Sequence, residues 1–168
     1  MPTPCIIPMS FALQTERLTL SMWEVDDAVW YRQLLAERGA TRPTVKAARA
    51  KLRDLRNRAD ESGISLLTIR RRAEGDFIGY CGLIVGRSSW EEPEIAYELF
   101  RHAHRKGYAT EAAAAILDAA IATHRRRLWS TVRAWNAASF RVLDKLGFER
   151  RHSTWDDRGE LVWSVRDL

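Results

Sequence analysis

Cysteine is scarce: Cys5 and Cys81 are the only two in 168 residues, and no metal-ligand spacing surrounds either. That excludes a disulfide framework and a cysteine-built zinc site. No apolar run approaches the ~20 residues that a membrane-spanning helix needs. Met1 to Ser10 has no charged stretch leading into a long apolar one, so no secretion signal is expected. Lysine is rare as well. Lys46, Lys51, Lys106 and Lys145 are the only four, leaving 23 arginines among 27 basic residues. Zinc-finger, RNP and basic-region heptad patterns are all missing, which argues against nucleic acid as a partner. Also missing are GxxxxGK[ST] and GxGxxG, the usual markers of nucleotide hydrolysis and hydride transfer. His102 and His104 stand two apart, which suits neither helical nor strand metal spacing, and no metal is expected.

What is present is ordinary for a folded enzyme-sized domain: 46% hydrophobic residues, 29% charged and a net charge of +5. The length implies one domain over residues 1–168, long enough to bury about 70% of its unfolded-state surface. A soluble, reduced, cytoplasmic protein is the expectation. The modest basic excess suits anionic cofactors or acidic acceptors and selects neither.

Hydrophobic periodicity divides the chain into a β-α-α-β-β-β-α-β-α-β-β order. Phe11 to Trp23 alternates and predicts a first strand. Asp26 and Asp27 can cap a helix whose stripe is Trp30, Tyr31, Leu34 and Leu35. Pro43 opens a second helix, with Val45, Ala48, Leu52, Leu55 and Ala59 on one side and Lys46, Arg49, Lys51, Arg53, Arg56 and Arg58 crowding the other. Strands follow over Ile64–Arg70, Phe77–Val85 and Glu94–Phe100. An alanine-rich helix over Gly107–Thr123 shows Ala112, Ala113, Ile116, Leu117, Ala120 and Ile121 on one face. A strand over Leu128–Ala134 leads to a helix over Ala137–Leu146 that Gly147 stops. A hairpin of Phe148–Trp155 and Glu160–Val165 closes the chain. This is an α/β fold, a mixed sheet with helices on both faces.

Two segments carry chemistry. His104-Arg105-Lys106-Gly107-Tyr108-Ala109-Thr110-Glu111-Ala112 lies where a strand gives way to a helix. The first helical turn leaves amide N–H groups unpaired and adds partial positive charge, a setting for phosphate. Gly107 and Ala109 permit close approach, Arg105 and Lys106 add charge, and the Thr110 hydroxyl can donate a further bond. An ordinary helix start beside a basic loop reads the same way. Downstream, Asn136 is a good N-cap and Ser139 stands three residues on, so both sit near a helix entrance; a cap and a solvated serine are the plainer account.

Together these segments resemble the GNAT superfamily of N-acetyltransferases, and within it the branch that includes the ribosomal-protein N-terminal (alanine/serine) acetyltransferases. Thr15-Glu16-Arg17-Leu18-Thr19-Leu20 looks like the opening strand of that branch. Phe77 to Leu83 looks like its third strand and Glu94 to Leu99 like its fourth. Lys106 to Ala112 is similar to its acetyl-CoA pyrophosphate loop, and Asn136 to Phe148 to its second cofactor motif. The resemblance implies a single-domain, mostly antiparallel GNAT-like sheet and an acetyl-CoA-dependent transfer to a primary amine, on a peptide N-terminus or a small molecule.

It also implies roles. Amides from Arg105, Lys106, Gly107, Tyr108, Ala109 and Thr110 would hold the pyrophosphate. The open strand edge around Tyr97 to Leu99 would pair with the pantetheine arm. Asn136 and Ser139 would meet the sulfur end. Glu94 stands where the family often puts a general base, and Glu98 shares its face by strand alternation; an ordered water is the other candidate. A bulge in that strand, implied by the same resemblance, would aim N–H groups at the oxyanion. Three departures stand out. His104 replaces a Gln or Arg, Arg105 replaces a glycine, and Leu143 replaces a tyrosine acid, which shifts attention to Ser139 or a water.

The other residues have plainer expectations. Cys81 reads as a buried apolar residue rather than a nucleophile. Trp23, Trp30 and Trp90 could line an acceptor cleft, with core packing the commoner role. A homodimer is left open. Two other functions compete with the transferase: an acyl-CoA-binding sensor or assembly subunit without turnover, and a nucleic-acid binder.

Overall fold

The computed structural model describes residues 5–168. Eight strands form one sheet in the order β1-β2-β3-β4-β5-β6-β8-β7. They are β1 (Ala12–Gln14), β2 (Leu18–Ser21), β3 (Leu66–Arg71), β4 (Phe77–Ile84), β5 (Glu94–Leu99), β6 (Arg127–Arg133), β7 (Glu149–Asp156) and β8 (Gly159–Asp167). The helices are α1 (Ala28–Glu37), α2 (Val45–Ser62), α3 (Tyr108–Ala122) and α4 (Ala137–Lys145). Every neighbouring pair is antiparallel except β5 with β6. The α/β class and the mostly antiparallel sheet agree with the sequence reading. No helix of the described residues is long and apolar enough to cross a membrane.

Two cores lie on opposite faces. The larger joins Leu18, Leu67, Ile78, Cys81 and Ile95 to Ala112, Ala113 and Ile116 of α3 and to Phe140 and Leu143 of α4. The smaller gathers Trp23, Leu34, Ala48, Leu52, Phe77 and Phe100 under α1 and α2. Between β3 and β4 the register steps from Ile69↔Gly79 to Arg70↔Phe77, so Ile78 has no partner across. That extra residue lets Phe77 and Tyr80, three apart, both reach the α1/α2 side, while Ile78 and Cys81 turn to the other.

Several local expectations change. The single strand expected over Phe11 to Trp23 is a hairpin, because the chain turns at Thr15–Arg17, where the Thr15 amide donates to the Leu18 carbonyl at 2.9 Å. Thr44, not Pro43, starts α2, its hydroxyl accepting from the Ala47 amide at 3.1 Å. Asp27 does not cap α1 through its side chain; it accepts from the Glu24 amide and pairs with Arg70. Ile121 faces solvent at 45% exposure, and Ala119 takes its place in the buried face of α3. The bulge expected in β5 is absent from its pairing with β4, which runs unbroken from Gly79↔Leu99 to Ile84↔Glu94.

That unbroken pairing depends on Gly79. A Cβ there would overlap the Glu98 carbonyl and lie 2.7 Å from the Leu99 Cα, at a φ of +155°. Gly79→Ala must push β5 away from β4, and overpacking of this kind typically costs about 1–3 kcal/mol. For a chain of this size the melting temperature should fall by about 2–4 °C per kcal/mol. An unchanged thermal transition by circular dichroism would show that the two strands tolerate the separation.

The parallel contact is brief. Glu94 opposite Trp129 is its one registered pair, fastened by the Trp129 amide donating to the Pro93 carbonyl at 2.9 Å. From Ala96 to Leu99, β5 has no strand partner on that edge among the described residues. The two strands therefore open from a closed end at Glu94 toward Leu99, the end from which the chain enters α3.

Candidate active site

Between β5 and α3 the chain makes a short 3₁₀ turn at Arg101–Ala103 and then the exposed loop His104–Gly107. Gly107 is the N-cap of α3 with φ +80°, a left-handed conformation that glycine adopts without strain. The first main-chain bond of the helix runs from the Glu111 amide to the Gly107 carbonyl at 3.0 Å. None of the amides from Arg105 to Thr110 has a partner among the described residues. Six unpaired donors at one helix entrance fit a pyrophosphate. Arg105, standing where the resemblance has glycine, is itself left-handed at φ +60°, a conformation that costs a non-glycine residue about 1–2 kcal/mol. The His104 ring places Nε2 2.9 Å from the Leu99 carbonyl and so ties the loop back to β5.

Sequence reading assigned no role to the residues that hold this loop. Glu111, in the first turn of α3, accepts from the Thr15 hydroxyl at 2.6 Å and the Arg17 amide at 2.9 Å, both on Oε1. Its Oε2 accepts from Arg17 Nε at 2.6 Å. Burial alone would raise the Glu111 pKa, but these bonds outweigh it and hold the carboxyl below its usual range. Thr15, Arg17 and Glu111 all stand within motifs that carry the resemblance, yet no local periodicity links Glu111 to residues 94 and 96 positions away. Only the packing of β2 beside α3 does.

Along the open edge, the Tyr97 hydroxyl donates to the Ser139 carbonyl at 3.0 Å and joins β5 to α4 on the α3/α4 side. Asn136 caps α4 as expected, its Oδ1 accepting from the Ser139 amide at 3.2 Å. The cap uses the oxygen and leaves the amide NH₂ as a donor at the helix entrance. Ser139 is half-buried there, its hydroxyl without a partner among the described residues. Leu143 is sealed into the larger core at 1% exposure. Burial raises the Tyr97 pKa, so that phenol stays neutral.

Glu94, Ala96 and Glu98 alternate onto the α1/α2 side, with a small residue between two carboxylates. Glu94 is 3% exposed at the closed end. Its carboxylate accepts from the Arg87 amide and, at 2.7 Å, from the Thr131 hydroxyl. Two bonds leave lone pairs free on a group that can accept about four. Glu98 accepts from the Tyr80 hydroxyl at 2.9 Å and from Arg38 Nη1 at 3.0 Å. The Tyr80 pKa is raised, by burial first and then by the Glu98 charge.

Of the other candidates, Cys81 and Trp23 are buried, whereas His102, Trp30 and Trp90 are exposed. His102 stacks on Phe100 with centroids 5.5 Å apart. No group of three or more His, Cys, Asp or Glu side chains among the described residues could hold a metal ion. Burial pushes the Cys81 thiol far above its ordinary pKa, so it offers no thiolate. Trp23 sits in the smaller core, Trp30 stacks on Phe77, and Trp90 lies under the Arg125 guanidinium. The basic face of α2 is partly neutralised, with Arg56 paired to Glu24 and Arg58 to Asp54.

Comparison with known proteins gives the family and the fold. The family model described as an acetyltransferase (GNAT) domain matches residues 17–149. The chain is 27% identical over 146 residues to the uncharacterized N-acetyltransferase p20 of Bacillus licheniformis, covering 82% of each chain. Among solved structures it is similar to the ribosomal-protein-S5-alanine acetyltransferase of Vibrio fischeri. There the TM-score is 0.80 at 15% identity, over 94% of this chain and 97% of that one. It is also similar to RimL, a ribosomal L7/L12 alpha-N-protein acetyltransferase in complex with coenzyme A. That match has a TM-score of 0.73 at 15% identity, over 97% and 98% of the two chains.

Proposed function

Since this chain belongs to the GNAT acetyltransferase family, we propose that residues 1–168 act as one domain moving the acetyl group of acetyl-CoA directly to a primary amine. The observation that carries the reading is the run of six unpaired amides at the entrance of α3, beside a strand edge left open by the parting of β5 and β6. The amides from Arg105 to Thr110 hold the pyrophosphate, the edge from Tyr97 to Leu99 pairs with the pantetheine arm, and Asn136 and Ser139 meet the sulfur. Acetyl-CoA supplies a thioester carbon open to attack by a neutral amine.

Glu94 takes a proton from the acceptor ammonium, directly or through a water. The neutral amine then attacks, the C–N bond forms as the C–S bond breaks, and the second N–H proton passes to the departing thiolate. The Ser139 hydroxyl hydrogen-bonds the departing thiolate, since Leu143 has no proton to give. Glu98, committed to Tyr80 and Arg38, shapes the acceptor side and is the second candidate for the base.

The test is thiol release from acetyl-CoA in the presence of peptide N-termini, polyamines and aminoglycosides. Protein N-termini belong in that panel because similar solved structures include ribosomal-protein acetyltransferases. Turnover with at least one amine supports the enzyme, whereas CoA binding without turnover on any would favour a sensor. With the best amine, Ser139→Ala should lower kcat roughly tenfold at every pH and leave the acceptor KM unchanged, one charge-assisted hydrogen bond being worth about 1.5 kcal/mol or more. A wild-type kcat in that variant would assign the leaving thiolate to water.

A further inference from the structure

Of the donors at the entrance of α3, one comes from outside the loop. We propose that Arg17 is an additional ligand of the cofactor pyrophosphate, held in place by Glu111 as a positioning residue. The proposal rests on the reading of this helix entrance as the pyrophosphate site.

Three corners of the Arg17 guanidinium have different fates. Nε donates to Glu111 Oε2 at 2.6 Å and Nη1 donates to the Lys106 carbonyl at 2.9 Å. Nη2 has no hydrogen-bond partner among the described residues and lies 3.3 Å from where a Cβ on Gly107 would stand. The one free corner thus points to the N-cap, beside the unpaired amides. Behind it, the guanidinium carbon sits 4.4 Å from the Tyr108 ring centroid, so the plane is stacked as well as bonded.

The strand end that carries Arg17 is equally constrained. Arg72 Nη1 donates to the carbonyls of Thr15 and Glu16, both at 3.0 Å, and the Arg72 amide donates to the Arg17 carbonyl at 2.8 Å. A half-exposed ion pair contributes little to stability. The same contacts do fix a planar fork in one orientation, the property that suits arginine to phosphate and that lysine lacks. Glu111 offsets the charge of Arg17 without covering the free corner, so what the pair delivers is placement.

Calorimetric titration of CoA into the wild type, Arg17→Ala, Arg17→Lys and Glu111→Gln tests this, with a melting curve for each protein. Arg17→Ala should weaken CoA at least tenfold with its melting temperature nearly unchanged. Arg17→Lys should fall between the two, because an ammonium cannot bridge Glu111 and Lys106 while reaching the N-cap. Glu111→Gln should weaken CoA several-fold although Arg17 is still present. Acetyl-pantetheine has no pyrophosphate, so its turnover with the best amine should match wild type in all three variants. Equal losses for acetyl-pantetheine and CoA would reduce Arg17 to a structural residue and overturn the proposal. Unchanged CoA affinity in Arg17→Ala, or full affinity in Arg17→Lys, would do the same. A wild type that binds no CoA would instead remove the pyrophosphate site itself.

Discussion

Gly107→Glu is expected to weaken acetyl-CoA binding by well over tenfold, more than about 1.4 kcal/mol. Two physical effects act together. At φ +80° any side chain is strained, so the cap must rearrange and the orientation of the amides behind it changes. The new carboxylate also enters the space beside Arg17 Nη2, where it competes with a pyrophosphate for the same donors and repels it. Gly107→Ala separates the two effects: it carries the backbone strain without the charge and should lose less affinity. Calorimetry on folded variants is the measurement. A Gly107→Glu protein with wild-type affinity would remove the entrance of α3 as the cofactor site.

Glu94→Gln should lower kcat by roughly 10²–10⁴ near neutral pH, the usual contribution of a general base, and by much less in alkaline solution. The sign follows from the acceptor: a protonated amine must lose a proton before it attacks, and rising pH does this without help. The substitution isolates the chemistry well. Glutamine keeps one oxygen to accept from the Arg87 amide, and its NH₂ can donate to the Thr131 hydroxyl, so the packing of this buried side chain survives. A rate loss equal at all pH values would indicate that Glu94 only shapes the site. Wild-type kinetics throughout would move the role to Glu98 or to water alone.

Much of this was legible in the chain. The order of strands and helices after the first strand, the stripes Ala48-Leu52-Ala59 and Ala112-Ala113-Ile116, and the stop at Gly147 all follow from local periodicity and backbone freedom. The entrance of α3 was readable for the same reason. A glycine, a small residue and basic neighbours at a strand-to-helix junction act within one turn, so their spacing is visible. Asn136 is likewise a local cap.

What sequence could not supply are relations across distant positions. The turn at Thr15–Arg17 is secured by Arg72 and Glu111, far along the chain, so alternation alone read one strand where there are two. Alternation placed Glu94 and Glu98 on one face correctly. It could not tell that Glu94 is buried against Arg87 and Thr131 while Glu98 is tied to Tyr80 and Arg38. Residue types and their spacing thus determined which elements form and where a glycine-capped helix entrance with free amides lies, since both depend on hydrogen bonds and side-chain periods within a few residues. Tertiary packing alone decided where β5 and β6 part, which carboxylate is buried, and that Arg17 reaches Gly107. Each of those depends on surfaces meeting across tens of residues, and no local period records such a meeting.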